Sequence, residues 1–397
     1  MNTSVVFPVA GVRLATAAAG IRKPGRQDVL LIEIAKGANC AAMFTSNAFC
    51  AAPVIVARQH LDTHSPRYLL INSGNANAGT GEQGRQDAIR TCQAVADECA
   101  CTAEEVLPFS TGVIGELLPV DKISTVLSQL QHHLKEDAWH AAAQAIMTTD
   151  TVPKIISRQV TLAGKLVTFS GIAKGAGMIR PNMATMLSFL ATDAALDKAT
   201  LQSCLRNAVN KSFNRITVDG DTSTNDAVVL MATGHSGVQI EAGELAGFQA
   251  MLDEVCVDLA RALVRDGEGA TKLINIVVDQ GRNEQECARV AYAIAHSPLV
   301  KTAFFASDPN WGRILAAVGY AGVDNLDISK IEIYLDDVCI VKSGGRASSY
   351  SEEQGRQVMQ QTEITIRVVL ARGTATTTVW TCDFSYDYVK INAEYRT

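Results

Sequence analysis

Strand-like and helix-like segments alternate along almost all of this 397-residue chain, and this alternation is what most limits its fold. Short apolar runs at 28–35 and 67–72 predict buried strands, whereas apolar residues recur at helical spacing between 84 and 101. The segment 157–177 has the two-residue period of a hairpin, with its turn at Ala163-Gly164. Strand pairs separated by helices favour an α/β layered sandwich with a mixed or antiparallel sheet over a Rossmann fold.

The remaining elements follow the same patterns. Further helices are predicted at 120–134, 136–147, 197–210, 243–264, 284–296 and 351–361, and further strands at 215–219, 226–232, 272–279, 331–342 and 363–371. The length suits two domains or one large layered unit. Because composition does not change along the chain, the start of a smaller C-terminal α/β domain is placed only at about 280, within 270–285.

Composition and charge exclude several classes of protein. Apolar residues make up 47% of the chain and charged residues 19%, which is enough for a large core. A net charge of -6 argues against a nucleic-acid partner, which would need clustered Lys and Arg. The N-terminal sequence lacks the pattern of a signal peptide, and no apolar run is long enough to span a membrane. We expect a cytoplasmic protein that acts on small molecules.

No metal or cofactor is predicted. The ten cysteines form no CxxC pair and the seven histidines no HExxH motif. The stretch 219–226, DGDTSTND, resembles half of a calcium loop but lacks the closing Glu, so a turn with self-capping side chains is favoured. The glycine-rich stretch 72–84 matches no phosphate-binding pattern and indicates a tight turn, with a place in a pocket wall left open.

Thr185 is the one unusual residue in the apolar run that follows KGAGMIRPNM. A threonine hydroxyl is a poor nucleophile unless a base is within reach. Its own α-amine, with a pKa of about 7.7 to 8.0, can be that base if the preceding peptide bond has been cut. Ala184 is small enough to allow the hydroxyl to make this cut, and Gly175 and Gly177 allow close bending. A lone threonine in a strand is nevertheless more often structural.

The surroundings of Thr185 decide between these readings. The segment 174–194 resembles the self-cleavage segment of the ornithine acetyltransferase family, also called glutamate N-acetyltransferase. Further stretches resemble the same family in the same order: 72–81, 108–116 (PFSTGVIGE), 148–154, 212–230, 267–272, 307–314 and the terminal YVKINAEYRT. The resemblance therefore covers nearly the full chain.

The resemblance implies an acyltransferase that cuts itself between Ala184 and Thr185. Its products would be an α chain, 1–184, and a β chain, 185–397, assembled as a heterotetramer of two α and two β chains. The implied fold has αββα layers similar to N-terminal nucleophile hydrolases, with different connectivity. The implied reaction moves the acetyl group of N2-acetylornithine to glutamate in arginine biosynthesis. Bifunctional members also accept acetyl-CoA, and the sequence leaves this activity open.

The resemblance also implies a role for individual residues. Thr185 would be the nucleophile with its own α-amine as base, while the Thr111 hydroxyl and the Gly112 N–H would form the oxyanion hole. The implied substrate contacts are Thr151, Lys174, Thr185, Glu268, Asn392 and Thr397. These types suit the substrates, because Lys174 and polar donors can hold α-carboxylates and Glu268 can hold the ornithine ammonium. Docking of the tail is expected through Tyr388 and Ile391.

Two other functions remain open at this point. An amidohydrolase or aminopeptidase with an N-terminal threonine would use the same nucleophile, with water as the acceptor. A non-enzymatic amino-acid-binding protein would keep the fold and stay uncut.

Overall fold

The computed structural model describes residues 5–180 and 186–394, which fall into two compact units. The first unit contains the chain up to Asn214 together with Asp221–Leu263. The second contains Arg215–Gly220 and the chain from Val264 onward. No helix in the described ranges is both long enough and apolar enough to cross a membrane.

The described residues form the following elements. The strands are β1 (Val12–Ala17), β2 (Val29–Ile34), β3 (Asn39–Phe44), β4 (Tyr68–Asn75), β5 (Val106–Val113), β6 (Lys154–Leu162), β7 (Lys165–Lys174), β8 (Leu187–Thr192), β9 (Ala227–Ala232), β10 (Leu273–Gly281), β11 (Glu332–Leu335), β12 (Val338–Lys342), β13 (Gly345–Arg346), β14 (Glu363–Val369) and β15 (Ala375–Cys382). The helices are α1 (Ala52–Thr63), α2 (Gly81–Cys99), α3 (Val120–Thr125), α4 (Leu127–His132), α5 (Trp139–Ala145), α6 (Lys198–Lys211), α7 (Leu245–Arg265), α8 (Glu284–Ala295), α9 (Pro298–Phe305), α10 (Trp311–Gly319), α11 (Glu352–Met359) and α12 (Tyr386–Ala393).

Two sheets pack face to face in the first unit. One has the order β1-β2-β4-β5 and the other β3-β9-β8-β7-β6. Alternate residues of both sheets point into a shared apolar core, where the rings of Phe109 and Phe189 meet edge to face at 5.1 Å. Burying each such ring stabilises the fold by roughly 1.5–3 kcal/mol.

Helices cover the outer faces of both sheets. Residues of α2, among them Cys92 and Val95, pack on the first sheet. On the second sheet Phe248 of α7 lies 5.1 Å from Phe169, measured between ring centroids. The resulting αββα layering confirms the predicted layered sandwich.

The predicted hairpin at 157–177 is confirmed as β6 and β7. Leu162 pairs with Lys165 across a two-residue turn. Ala163 and Gly164 both have positive φ, 47° and 74°, as a tight hairpin turn requires. Strand β7 then pairs with β8, so that Lys174 lies opposite Leu187. The hairpin therefore places Lys174 beside the chain that follows Thr185.

The second unit is a six-stranded sheet with helices. Its strand order is β13-β12-β11-β14-β10-β15, and β10 is parallel to β14. Apolar residues of α8, α9, α10 and α11 pack with it in one core. Helix α12 is anchored by the ring of Tyr388, which stacks on Phe384 at 4.6 Å. Docking of the tail through Tyr388 and Ile391 stays a prediction.

Three predicted elements differ from the structure. The predicted strand at 215–219 is wrong: residues Phe213–Arg215 form a 3-10 turn, and only Ile216 bridges to a strand, at Trp380. The single strand predicted at 331–342 is instead two strands, β11 and β12, which are joined by a turn at Asp336, where φ is 47°. The helix predicted at 120–134 is two short helices that meet at Val126. Apolar spacing predicts such segments, but it does not mark where hydrogen bonding changes.

Candidate active site

The ends of β4 and β5 approach each other closely at Gly74 and Gly112. These two residues are paired in the parallel register, and Gly112 has a φ of 132°. A Cβ atom at Gly112 would lie 2.4 Å from the backbone carbon of Gly74. Only glycine fits there, because both the φ angle and the space exclude a side chain. The backbone next to Thr111 is therefore fixed tightly in place.

Lys174 reaches from the second sheet to Thr111 on the first. Both residues are buried, and Lys174 Nζ donates a hydrogen bond to Thr111 Oγ1 at 3.0 Å. Since the threonine oxygen accepts this bond, its own proton remains available for a bond to another acceptor. The neighbouring positive charge strengthens that donor. Thr111 is thus arranged to donate to a developing negative charge.

Asp150 and Lys154 form a buried ion pair behind Lys174. Asp150 Oδ1 accepts from Lys154 Nζ at 2.5 Å and from the Gly175 N–H at 2.7 Å. Burial raises the pKa of Asp150, but the ammonium groups of Lys174 and Lys154 and the Gly175 N–H outweigh it and lower this pKa to about 2. Two ammonium groups and one carboxylate carry a net positive charge, which favours an anion at this end of the sheets.

Asp150→Asn is expected to lower the free energy of unfolding by about 3 kcal/mol near neutral pH, because it leaves Lys154 buried without its carboxylate. The folded-state pKa of Asp150 lies below its ordinary value of 3.8, so its stabilisation is present above about pH 4 and is lost toward pH 2. Urea unfolding measures this.

Asp137→Asn, at an exposed carboxylate, is the matched control. The difference in the free energy of unfolding between wild type and Asp150→Asn should become smaller as the pH falls from 6 to about 3. Equal midpoints for wild type and the Asp150 variant at pH 6 would mean that the pair does not stabilise the fold.

The loop before β9 connects the two sheets at this site. Asn225 Nδ2 donates to the carbonyl oxygens of Ala76 at 2.6 Å and of Ser110 at 2.9 Å, which holds β5 just before Thr111. Asp226 Oδ1 accepts from the Met186 N–H at 2.7 Å. The same loop therefore positions the strand of Thr111 and the residue after Thr185.

Sequence reasoning predicted part of this loop. The self-capping turn is confirmed, because the Asn225 N–H donates to Ser223 Oγ at 3.0 Å. The contacts of Asn225 and Asp226 with other strands were missed. Their only local signal is an Asn-Asp pair directly before the apolar run 227–232. The glycine-rich stretch 72–84 is also the predicted tight turn, with positive φ at Gly74, Asn77 and Gly79.

The structure gathers the predicted site residues in two groups. Thr111, Gly112 and Lys174 lie together in the first unit, where Thr151 is an exposed residue next to Asp150. Glu268 and Asn392 lie together in the second unit. Asn392 Nδ2 donates there to Glu268 Oε2 at 2.8 Å, and Glu268 is buried. Ala184, Thr185 and Thr397 lie outside the described residues.

Cysteine and acidic residues suggest no further site. The ten cysteines are free thiols, and burial raises the pKa of Cys40 to about 12, which keeps it protonated and unreactive. Across 5–180 and 186–394 no three His, Cys, Asp or Glu residues are grouped as a metal ion would require.

Comparison with known proteins identifies the family. The sequence profile of the ArgJ family matches residues 13–397. The chain belongs to the ArgJ family. It is 61% identical over 393 residues to the arginine biosynthesis bifunctional protein ArgJ of Methylococcus capsulatus, covering 98% of this chain and 96% of that protein. It is 56% identical over 397 residues to the protein of the same name from Pseudomonas syringae pv. tomato, covering 99% and 98%.

A solved structure was also found. The arginine biosynthesis bifunctional protein ArgJ of Bacillus halodurans is 42% identical, with a TM-score of 0.49, and the match covers 51% of this chain and 95% of that one. The predicted family is confirmed by the ArgJ profile and the two relatives, and with it the prediction of an arginine biosynthesis enzyme.

Proposed function

We propose that this ArgJ-family enzyme transfers the acetyl group of N2-acetylornithine to glutamate through an ester on Thr185. The observation that carries the proposal is the Lys174–Thr111 hydrogen bond beside Gly112, at the strand end next to Met186. Buried donors and a positive charge of this kind are what an acyl transfer needs to stabilise an oxyanion. The names of the relatives, arginine biosynthesis bifunctional proteins, favour this acceptor chemistry over hydrolysis.

The enzyme first cuts its own chain between Ala184 and Thr185. Thr185 Oγ attacks the Ala184 carbonyl carbon, the bond from that carbon to the Thr185 nitrogen breaks as the hydroxyl proton passes to the nitrogen, and water hydrolyses the resulting ester. The products are the α chain, 1–184, and the β chain, 185–397, which assemble as two copies of each in the cytoplasm. The support is family membership, together with the fixed position of β8 directly after this segment, between β7 and β9.

Acetyl transfer repeats the same chemistry on the substrate. The α-amine of Thr185 takes the hydroxyl proton as Oγ attacks the acetyl carbon, and the Thr111 hydroxyl and the Gly112 N–H donate to the oxyanion. The proton passes to the leaving amine of ornithine. The amine of glutamate then attacks the acetyl-Thr185 ester and releases N-acetylglutamate. A second donor, acetyl-CoA, would form the same ester, with a thiol leaving.

The proposed substrate contacts are those that the family resemblance implies. Lys174, Thr151 and Thr397 suit the carboxylates of the two amino acids. Glu268, held by Asn392, offers the negative charge that the side-chain ammonium of ornithine requires. Glutamate has no such ammonium, so Glu268 distinguishes the two substrates.

Glu268→Gln is therefore expected to raise KM for N2-acetylornithine by about tenfold or more, as for the loss of a charged hydrogen bond. Cutting of the chain should be unchanged, because it needs no ornithine. Steady-state kinetics with each substrate varied in turn measures the effect, and Glu332→Gln, in the same unit, is the control. An equal rise in KM for both substrates would show that Glu268 does not bind the side-chain ammonium of ornithine.

One assay separates the proposed function from its alternatives. The purified protein is given N2-acetylornithine or acetyl-CoA, with and without glutamate, and both N-acetylglutamate and free acetate are measured. The proposal predicts N-acetylglutamate as the main product from N2-acetylornithine. Acetate formed at the same rate without glutamate would identify a hydrolase. An uncut chain with neither product would identify a binding protein.

A further inference from the structure

Lys301 is a lysine whose whole side chain lies inside the second unit. It belongs to α9 and is 1% exposed, and its helix neighbours Val300 and Phe304 are part of the apolar core. Removing a lysine amino group from water is costly unless hydrogen bonds compensate for the lost hydration. The position of Lys301 therefore calls for an explanation.

The amino group of Lys301 holds the chain at the end of β15. It donates to Thr381 Oγ1 at 2.8 Å and to the Cys382 carbonyl oxygen, and it lies 4.4 Å from the centre of the Phe384 ring. The Phe384 N–H donates in turn to the Lys301 carbonyl oxygen at 3.2 Å. Lys301 therefore fixes the segment 381–384 through both its side chain and its backbone.

This segment holds the loop that contains Glu268. Asp383 is fully buried, and its Oδ1 accepts the N–H groups of Thr271 and Lys272, both at 2.8 Å. Its Oδ2 accepts the Thr271 hydroxyl at 2.5 Å. The loop is thus attached, three residues after Glu268, to the segment that Lys301 fixes.

The same segment also holds the hydrogen-bond partner of Glu268. The ring of Phe384 stacks on Tyr388 of α12 at 4.6 Å. One helical turn later, Asn392 Nδ2 donates to the Tyr388 carbonyl oxygen at 3.0 Å and to Glu268 Oε2 at 2.8 Å. The loop and the helix that meet at Glu268 are therefore both attached to residues 381–384.

The loop and α12 leave little space for adjustment where they meet. Gly269 has a φ of 69°, and a Cβ atom there would lie 2.5 Å from Ser385 Oγ and 2.7 Å from the Tyr388 nitrogen. The loop backbone thus packs directly on the start of the helix. A shift of the segment 381–384 would consequently be passed on to the Glu268 carboxylate.

We propose that Lys301 is a positioning residue for N2-acetylornithine, which sets the direction of the Glu268 carboxylate toward the side-chain ammonium of that substrate. This inference rests on the role of Glu268 proposed above. A charged hydrogen bond needs close and well-directed partners, so a small displacement of the carboxylate weakens it. An apolar side chain in place of a buried charged one often costs no stability. The contribution of Lys301 is therefore the position of the segment 381–384.

Lys301→Met is the first variant that tests this role. Methionine fills the space of the lysine stem and leaves no charge buried, so the fold should persist, but Thr381 and Cys382 lose their donor. KM for N2-acetylornithine should rise by about fivefold, less than in Glu268→Gln, because the carboxylate remains but is misdirected. The kcat, the KM for glutamate and the chain cut should be nearly unchanged. Steady-state kinetics with each substrate varied in turn measures the effect.

Lys272→Met is the matched control. It makes the same exchange in the same unit, four residues from Glu268, but Lys272 Nζ donates to Ser307 Oγ at 3.0 Å and not to the segment 381–384. This variant should keep the wild-type KM for both substrates. A rise equal to that of Lys301→Met would mean that the lost charge causes the effect, and it would overturn the positioning role.

Combination with Glu268→Gln separates positioning from a general loss of structure. If Lys301 acts through the Glu268 carboxylate, Lys301→Met should change KM for N2-acetylornithine by less than about twofold in the Glu268→Gln background. A merely structural defect would instead multiply the two effects.

Phe384→Leu tests the same link with the lysine in place, and it serves where Lys301→Met does not fold. It removes the ring that lies between Lys301 Nζ and Tyr388. KM for N2-acetylornithine should rise by about threefold, and only while the Glu268 carboxylate is present.

The outcomes distinguish this inference from the proposed function. An unchanged KM for N2-acetylornithine in folded Lys301→Met, or effects that multiply with Glu268→Gln, would overturn the role of Lys301 alone. If Glu268→Gln itself leaves this KM unchanged, the proposed role of Glu268 is wrong, and the positioning role of Lys301 fails with it.

Discussion

Thr185→Ala is expected to yield a single uncut chain of 42.3 kDa with no transfer of acetyl groups. Both reactions need the same hydroxyl: the cut uses it against the Ala184 carbonyl, and transfer uses it against the acetyl group. Without the cut there is also no α-amine to act as base. A denaturing gel and the N2-acetylornithine assay measure the two losses on one sample.

Thr185→Ser is the matched control for this variant. Serine keeps the hydroxyl and loses only a methyl group, so it should still be cut, with a start at residue 185 in N-terminal sequencing. An alanine variant that is cut, or that transfers acetyl groups, would remove Thr185 from the mechanism.

Thr111→Val is expected to reduce kcat by about a hundredfold to a thousandfold, which is the usual effect of removing one oxyanion donor. Valine has nearly the same shape, so the fold should persist, but the donor is lost. The hydrogen bond from the Lys174 ammonium to this hydroxyl is lost with it. KM for both substrates should change less than kcat, because the oxyanion exists only in the transition state and the intermediates.

Thr91→Val is the control for Thr111→Val, because it measures how much kcat changes when a buried hydroxyl elsewhere in the fold is lost. Thr91 is buried in α2, and its hydroxyl donates to the Ala88 carbonyl at 2.7 Å. This control should keep the wild-type kcat. Turnover of Thr111→Val within about threefold of the control would contradict the role of Thr111 as an oxyanion donor.

The local pattern of apolar and turn residues was sufficient to predict much of the fold. The β6–β7 hairpin and helices such as α6 and α8 were predicted nearly to their ends, because their spacing and turn residues are local signals. The strand predicted at 215–219 failed because, among the described residues, its one β-bridge is that from Ile216 to Trp380. A pattern of side chains does not report which backbone groups find partners.

The contacts within the site could not be predicted from the sequence, for a different reason. Thr111 and Lys174 were singled out by family resemblance, yet their hydrogen bond joins residues 63 positions apart on different sheets. The bond from Asn225 to the Ser110 carbonyl spans 115 positions. Such contacts depend on how the two sheets stack, which one sequence does not specify.

The most direct test of the central claim is a measurement of the acetyl group on the enzyme itself. Wild-type protein is mixed with N2-acetylornithine in the absence of glutamate, quenched in acid, and its fragments are weighed by mass spectrometry. We predict one acetyl group on the hydroxyl of Thr185, at the start of the second fragment, and its disappearance when glutamate is added. A second fragment that never carries an acetyl group, or that carries it at another residue, would contradict the account.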